Sequence, residues 1–251
     1  MNNNELLELA KKAALLAGQE ILKIYDQDFT VTLKDDLSPL TIADQNANVI
    51  IEKILTKSSI PILSEEGRKI PFKERKSWSR LWIVDPLDGT KEFVKRNGEF
   101  TVNIALIENG NPVLGVIYVP VTKVLYFSSE EGAFKKYNNV TQRLPIISNR
   151  KNFIAVGSRS HKSSETKAYF DSLVKKYGDI EVISMGSSLK ICLVAEGKAD
   201  VYPRFAPTME WDTAAGHAIV NFSGKKLIDY TTQKEMIYNR ENLLNNWFIV
   251  S

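Results

Sequence analysis

The chain has 251 residues, 43% hydrophobic and 25% charged, with 33 Lys and Arg against 30 Asp and Glu, a formal net charge of +3 and one cysteine. That length buries a substantial core, in one large domain or two modest ones. The near-even charge excludes a nucleic acid polymer as the expected partner, and the lone Cys192 excludes an intramolecular disulfide and a cysteine-rich zinc site.

No apolar run approaches the ~20 residues needed to cross a bilayer, and Met1 to Glu5 lacks the basic start of a signal peptide. A cytoplasmic location without integral membrane association is expected, with peripheral association left open. From Glu5 to Tyr25, Leu6, Ala10, Ala13, Ala17, Ile21 and Ile24 recur at helical spacing, and the asparagines before them can cap the helix. Phe29 to Leu33 reads as a short strand and Lys34 to Pro39 as a polar loop. A second helix follows with Ala43, Ala47, Ile50 and Ile54 on one face; Asp44 lies in its first turn, where a carboxylate suits the helix dipole. Ile60 to Leu63 is a short apolar run ending at Ser64-Glu65-Glu66-Gly67. Arg68 to Arg80 is basic with Phe72 and Trp78 interleaved, and its acidic neighbours make it read as a solvated, mobile loop.

Leu81 to Val84 reads as a buried strand, stopped at Asp85 because Pro86 has no N–H to continue a central strand. Asp85 and Asp88 bracket a bend before Gly89 and Thr90, and a short helix begins over Lys91 to Lys95. Carboxylates at a strand end beside free N–H groups at a helix start suit a metal-bound phosphate. The same residues also suit plain turn and helix capping, and singly they leave both readings open. A calcium loop is excluded by Leu87 and Gly89 at ligand positions, a P-loop by the absence of its Gly-Lys-Ser/Thr, and an aspartyl-phosphate motif by the two residues between the aspartates.

Phe100, Val102, Ile104 and Leu106 alternate with Thr101, Asn103 and Ala105 as a strand, Asn109 to Pro112 turns, and Val113 to Val119 returns. Val124–Phe127 and Ala133–Phe134 continue an antiparallel meander, with a further turn at Asn138-Asn139. Then the pattern changes. Phe153–Val156 reads as a strand, Phe170, Leu173, Val174 and Tyr177 as a helix face stopped by Gly178, and Ile180–Ile183 as a strand. Gly186-Ser187-Ser188 opens a helix from Leu189 to about Ala195, and Ala199–Tyr202 is again a strand. The expected fold is a layered α+β / α/β sandwich, with N-terminal helices on a mostly antiparallel sheet and a smaller C-terminal α/β domain. A seam near 140–152 divides it into 1–145 and 146–251.

Near the end, Met209-Glu210-Trp211-Asp212-Thr213-Ala214-Ala215-Gly216 opens a tightly packed helix, for which Asp212 is an ordinary cap if taken alone. Glu65-Glu66-Gly67, Asp85-Pro86-Leu87-Asp88-Gly89-Thr90 and Trp211-Asp212-x-Ala-Ala-Gly, in this order, resemble the lithium-sensitive, magnesium-dependent phosphatases of the inositol monophosphatase superfamily. The resemblance covers nearly the whole chain, including Ser38-Pro39-Leu40-Thr41 with Ala43-Asp44, and implies a sugar-phosphatase-like αβαβα sandwich. The segments around Gly157–His161, Gly186–Lys190, Ala195–Arg204 and Pro207–Asp212 look like the 3'(2'),5'-bisphosphate nucleotidase branch. Ser223-Gly224-Lys225 departs from a signature that commonly carries a second glycine.

The resemblance implies hydrolysis of the 3'-phosphate of adenosine 3',5'-bisphosphate, a by-product of sulfur assimilation, by in-line attack of an activated water without a phosphoenzyme. It implies two or three Mg²⁺ ions held by Glu65, Asp85, the Leu87 carbonyl, Asp88 and Asp212, and inhibition by Li⁺. Asp44 and Thr90 are the implied catalytic pair, with Glu65 beside them. Substrate contacts are implied for Glu65, Leu87, Asp88, Gly89, Thr90, Asp212, Ser187, Lys190 and Arg204, and for His161 at the adenine. His217 is expected to pack or hydrogen-bond locally, and Trp211 to support its helix start. The oligomer expected is a monomer or homodimer. Two rivals remain: a phosphatase acting on inositol monophosphate or fructose 1,6-bisphosphate, and a non-catalytic sensor of nucleotide or inositol phosphate.

Overall fold

The computed structural model describes residues 1–26, 42–146, 150, 152–158 and 163–251. The strand expected at Phe29–Leu33, the loop Lys34–Pro39 and the Ser38–Thr41 match lie outside them. Helix α1 (Asn3–Tyr25) opens on a capping box. The Asn2 side chain accepts from the Glu5 N–H at 2.9 Å, and the Glu5 carboxylate accepts from the Asn2 N–H at 2.8 Å. Its alanine-rich stripe is buried against the sheet and against α2 (Ile42–Leu55), where Ile51 rather than Ile50 takes the fully buried position.

Among the described residues, seven strands form one sheet in chain order: β1 (Ile62–Ser64), β2 (Arg80–Asp88), β3 (Thr101–Glu108), β4 (Asn111–Val119), β5 (Val124–Ser129), β6 (Gly132–Tyr137) and β7 (Val140–Arg143). Only β1 and β2 are parallel, with Leu63 opposite Ile83; every other pairing is antiparallel. Alternation sends Trp82, Val84, Ile104 and Leu106 into the cluster under α1 and α2, and Leu81, Ile83, Ala105 and Ile107 into the cluster on the opposite face. Both faces are covered, which is why Leu81–Val84 reads as an unbroken apolar run. Between β1 and β2, the stretch expected to be a solvated loop holds α3 (Phe72–Arg75). Arg75 is 2% exposed there, its guanidinium donating to Asn239 Oδ1, the Arg240 carbonyl and the Glu241 carbonyl at 3.0, 2.6 and 2.9 Å. The long alkyl stem and tethered head bury a residue that composition assigns to solvent. After β2 comes α4 (Thr90–Val94).

In the second half, β8 (Phe153–Ser158) and β9 (Ile180–Met185) pair in parallel around α5 (Ser164–Tyr177), which ends at Gly178 as expected. Helix α6 (Leu189–Ala195) follows. The strand expected at Ala199–Tyr202 is instead β10 (Tyr202–Arg204), because Val201 makes only a bridge to Ala155 while Tyr202–Arg204 pair with the C-terminal strand. Helix α7 (Glu210–Phe222) lies across the outer face of the seven-stranded sheet. A Cβ on Gly115 of β4 would fall 2.3 Å from the Ala215 carbonyl, so the approach of α7 depends on a glycine there. Strands β11 (Leu227–Asp229) and β12 (Phe248–Val250) complete a three-stranded sheet ordered β10-β12-β11. The result is a layered α/β fold with a mixed central sheet.

Candidate active site

The parallel pairing of β1 and β2 sets the C-terminal ends of the two strands side by side. Ser64 lies opposite Val84, and the Glu65 N–H donates to the Val84 carbonyl at 3.1 Å, so Glu65 arrives next to Asp85. The buried Ser64 hydroxyl donates to Asn48 Oδ1 at 2.6 Å, tying α2, and with it Asp44, to the same strand end. Strand β2 runs on through Pro86 to Asp88, contrary to the stop expected at Asp85. Pro86 and Leu87 fall in a register shift between the pairs Asp85–Asn103 and Asp88–Thr101, so a residue without an N–H forfeits no ladder bond there. The Leu87 N–H folds back to Asp85 Oδ1 at 3.1 Å and fixes that carboxylate. Gly89 then takes φ 96°, a left-handed conformation, and admits Thr90 at the first position of α4.

From the far side, α7 presents Asp212 in its first turn, with Oδ2 accepting the Met209 N–H at 2.7 Å. The N-cap position expected for Asp212 falls to Met209; Asp212 sits three residues on and accepts the N-cap N–H, which coexists with a second arrangement. Carboxylate oxygens of Glu65, Asp85 and Asp212 all lie within 4.8 Å of one another, from three elements and 148 residues of chain (65 to 212, inclusive). Burial, then the charges of Glu65, Asp88 and Asp212, pushes the Asp85 carboxyl well up. Burial, then Asp88, raises Asp212 to about 7. Glu65 is exposed as a residue, yet desolvation of its carboxyl and then the charges of Asp212, Asp88 and Glu66 push it to about 8. Asp44, 4% exposed, is pushed to about 9 by burial and then by Glu66, Glu65 and Asp88.

A cavity of about 570 Å³ opens over this cluster. Its lining includes Glu65, Asp88, Gly89, Thr90 and Asp212 together with Ser187, Lys190 and Arg204. Asp85 and Leu87, each 1% exposed, are not part of that lining. Lys190 is buried, donates to the Ser187 carbonyl at 2.5 Å, and is pushed down to about 8, chiefly by burial. Arg204 donates to the Pro207 carbonyl at 3.1 Å, while its buried Nε has no hydrogen-bond partner among the described residues. His161 lies outside the described residues. His217 is fully buried and meets the Tyr238 hydroxyl at 3.0 Å, the local role expected of it.

The donor set is made of hard oxygens, and burial with mutual repulsion leaves the carboxylates costly to ionise without a cation between them. The cluster could therefore hold a metal ion. Sequence reasoning missed Ser188, which lies in the cavity wall and hydrogen-bonds Asp88 through both its N–H (2.6 Å) and its hydroxyl (2.7 Å). Its only sequence signal is the Gly-Ser-Ser run before a helix. Tyr202 and Phe248, meeting edge-on at 5.8 Å, also line the cavity and were not foreseen.

Comparison with known proteins agrees over the whole length. The chain is 46% identical to the 3'(2'),5'-bisphosphate nucleotidase CysQ of Salmonella typhimurium over 250 residues, covering 98% of this chain and 99% of the relative. It is 44% identical to the protein of the same name from Escherichia coli K12, with the same coverage. The crystal structure of CysQ from Bacteroides thetaiotaomicron superposes with a TM-score of 0.91 at 53% identity, covering 98% of this chain and 96% of that one. The inositol monophosphatase family model matches residues 2–249, and the chain belongs to the inositol monophosphatase family.

Proposed function

We propose that the chain hydrolyses the 3'-phosphate of adenosine 3',5'-bisphosphate, giving AMP and phosphate, with Mg²⁺ as its metal and Li⁺ as an inhibitor. The observation that carries this reading is one cavity lined by Glu65 and Asp212, whose carboxylates cluster with that of Asp85, and also by Lys190 and Arg204. A carboxylate cluster suits hard cations at the scissile phosphate, and two cationic side chains suit a second phosphate on the same substrate. The bisphosphate nucleotidases at 44–46% identity support the choice of nucleotide over inositol phosphate.

Glu65, Asp85, Asp88, Asp212 and the Leu87 carbonyl would hold two or three Mg²⁺ ions. Bound there, the metal supplies charge neutralisation and a more acidic water. Thr90, at the start of α4, orients the attacking water with Asp44, and its proton passes to that pair. The water oxygen bonds to phosphorus as the bond to the 3'-oxygen breaks; that oxygen leaves on AMP and takes a proton from solvent water, and no phosphoenzyme forms. Gly89 and Thr90 hold phosphate oxygens; Ser187, Lys190 and Arg204 hold the rest of the nucleotide, with His161 toward the adenine. Substrate choice thus belongs to a unit spanning 146–251 and hydrolysis mainly to 1–145. The enzyme acts in the cytoplasm as a monomer or homodimer and recycles a by-product of sulfur assimilation. Among the described residues no helix is long and apolar enough to cross a membrane.

The test is phosphate release from adenosine 3',5'-bisphosphate and inositol 1-phosphate, side by side, with and without Mg²⁺. Strong Mg²⁺-dependent preference for the nucleotide is expected. Preference for the inositol ester would discard the roles given to Lys190 and Arg204 and keep the metal cluster. No release from either would return the sensor reading.

A further inference from the structure

Ser188 stands at the N-cap of α6, the position where a serine hydroxyl ordinarily accepts an N–H from the first turn. It makes no such bond. The residue is 3% exposed, and its polar groups turn to the acid cluster: its N–H donates to Asp88 Oδ2 at 2.6 Å, and its Oγ lies 2.7 Å from the same oxygen and 2.9 Å from the Asp212 carbonyl. A hydroxyl has one proton to give. Asn103 Nδ2 donates to Ser188 Oγ at 2.9 Å, taking one of that oxygen's two lone pairs, and the hydroxyl's single proton goes to the stronger of its two acceptors, the charged carboxylate. The Asn103 amide is itself oriented, because its Oδ1 accepts from the Thr101 hydroxyl at 2.9 Å, and its Nδ2 also reaches Asp88 Oδ2 at 3.3 Å. Thr101 and Asn103 are 0% and 1% exposed.

The Ser188 N–H, the Ser188 hydroxyl and the Asn103 amide thus all fall on one oxygen of Asp88. That arrangement restrains the rotation of the carboxylate of Asp88, a residue that lines the cavity, and engages its Oδ2. We propose that Ser188, itself oriented by Asn103, is a positioning residue that fixes Asp88 for metal binding and couples the 186–188 loop to the Asp85–Thr90 segment. The loop is anchored from the same side, since the Gly186 N–H donates to Glu99 Oε2 at 2.7 Å. Hydrogen-bond partners behind a ligand typically change metal affinity by ten- to a hundredfold when removed. The inference rests on Asp88 being a ligand of the ion.

The experiment titrates Mg²⁺ alone into substrate-free protein by calorimetry, for the wild type, Ser188→Ala, Asp88→Asn and the double variant. Ser188→Ala is expected to weaken Mg²⁺ binding about tenfold. In the Asp88→Asn background the same change should add less than about twofold, because a residue acting through Asp88 has nothing left to orient. Wild-type affinity in Ser188→Ala beside weakened binding in Asp88→Asn would refute the positioning role and leave the ligand reading standing. Wild-type affinity in Asp88→Asn would overturn the ligand reading, and the inference with it. Equal weakening by Ser188→Ala in both backgrounds would place its effect outside Asp88. Ser58→Ala separates loss of fold from loss of orientation: Ser58 Oγ accepts from the Trp82 indole N–H at 3.0 Å and is no hydrogen-bond partner of Asp88, Asn103 or Ser188 in the bonds described. It should lower the melting temperature and leave Mg²⁺ affinity unchanged; weakened affinity there would refute an orientation-specific effect of Ser188.

Discussion

Replacing Asp85 by Asn should make the metal-free protein more stable while abolishing its response to Mg²⁺. Asp85 is 1% exposed, and burial with the charges of Glu65, Asp88 and Asp212 holds its carboxyl well above the usual range. A group whose folded pKa is raised contributes stability that is present below its unfolded pKa, near 4, and lost as pH rises toward the folded value. At pH 7.5 the folded chain must either hold a proton against that pH or bear a buried charge. Protonation alone costs about 5 kcal/mol from an unfolded pKa of about 3.9, which bounds the strain. Asn removes the charge, and its carbonyl can still accept the Leu87 N–H that Asp85 Oδ1 accepts at 3.1 Å. A net gain of about 2 kcal/mol corresponds to about 4–8 °C in melting temperature for a domain of this size. The assay is scanning calorimetry in EDTA at pH 5 and 7.5, repeated with Mg²⁺. The wild type should lose stability from pH 5 to 7.5 in EDTA more steeply than the variant, and Mg²⁺ should raise the melting temperature of the wild type alone. A variant that melts below the wild type in EDTA at pH 7.5 would sink the claim that repulsion, and not packing, dominates this site.

His217 gives the opposite sign: burial holds it down to about 4, so its stability is present above pH 6.5 and is lost as pH falls through 4. Calorimetry of His217→Gln should show a shallower acid limb than the wild type, by about 3 kcal/mol between pH 6.5 and 4. Gly89→Ala should cost about 1–3 kcal/mol and most of the turnover, because φ is 96° and the new Cβ would meet the Glu99 carbonyl at 3.1 Å and Ser187 Cβ at 3.2 Å. Retention of wild-type melting temperature and rate would show the bend to be tolerant. Arg204→Met should raise KM for adenosine 3',5'-bisphosphate by about 10–100-fold, the loss of one charged hydrogen-bonded group. KM for adenosine 3'-monophosphate should stay unchanged, and a parallel rise for both substrates would assign Arg204 to something other than the second phosphate.

Local signals in the sequence were sufficient where a local rule decides the outcome. The asparagines before Glu5 do cap α1, Gly178 does stop α5, and Gly186-Ser187-Ser188 does open α6 at Leu189. They failed where a distant segment decides. Arg75 looks like solvated charge until the carbonyls of Arg240 and Glu241 arrive from the other end of the chain. Pro86 looks like a strand terminator until β3 supplies a register shift to receive it. Strand β10 begins at Tyr202 only because β12, more than 40 residues on, pairs with it there. In the site, each acid had an ordinary local reading, and the resemblance to the family set Glu65, Asp85, Asp88 and Asp212 together; Glu65, Asp85 and Asp212 are brought within reach of one ion, and Asp88 lines the cavity beside them. Ser188 and Asn103 were not readable as part of that set, since a serine before a helix and an asparagine in a strand have ordinary explanations.

The position of the site follows from the one parallel pairing in the large sheet. In an antiparallel pair the end of one strand meets the start of the next, and loops leave from opposite edges. In β1 and β2 the two strand ends coincide, so Glu65 and Asp85 emerge together, at the end of the sheet where ligands gather in parallel α/β folds. Strand β3 runs the other way and therefore begins at this end, delivering Thr101 and Asn103 beside Asp88. The outer helix α7 enters there with its N-terminal turn, bringing Asp212 down onto the pair. Each acid pays an electrostatic cost that burial enlarges, and four elements are arranged so that the cost falls at one point. A compact cation there offsets it, and the same cation is what a phosphate ester needs.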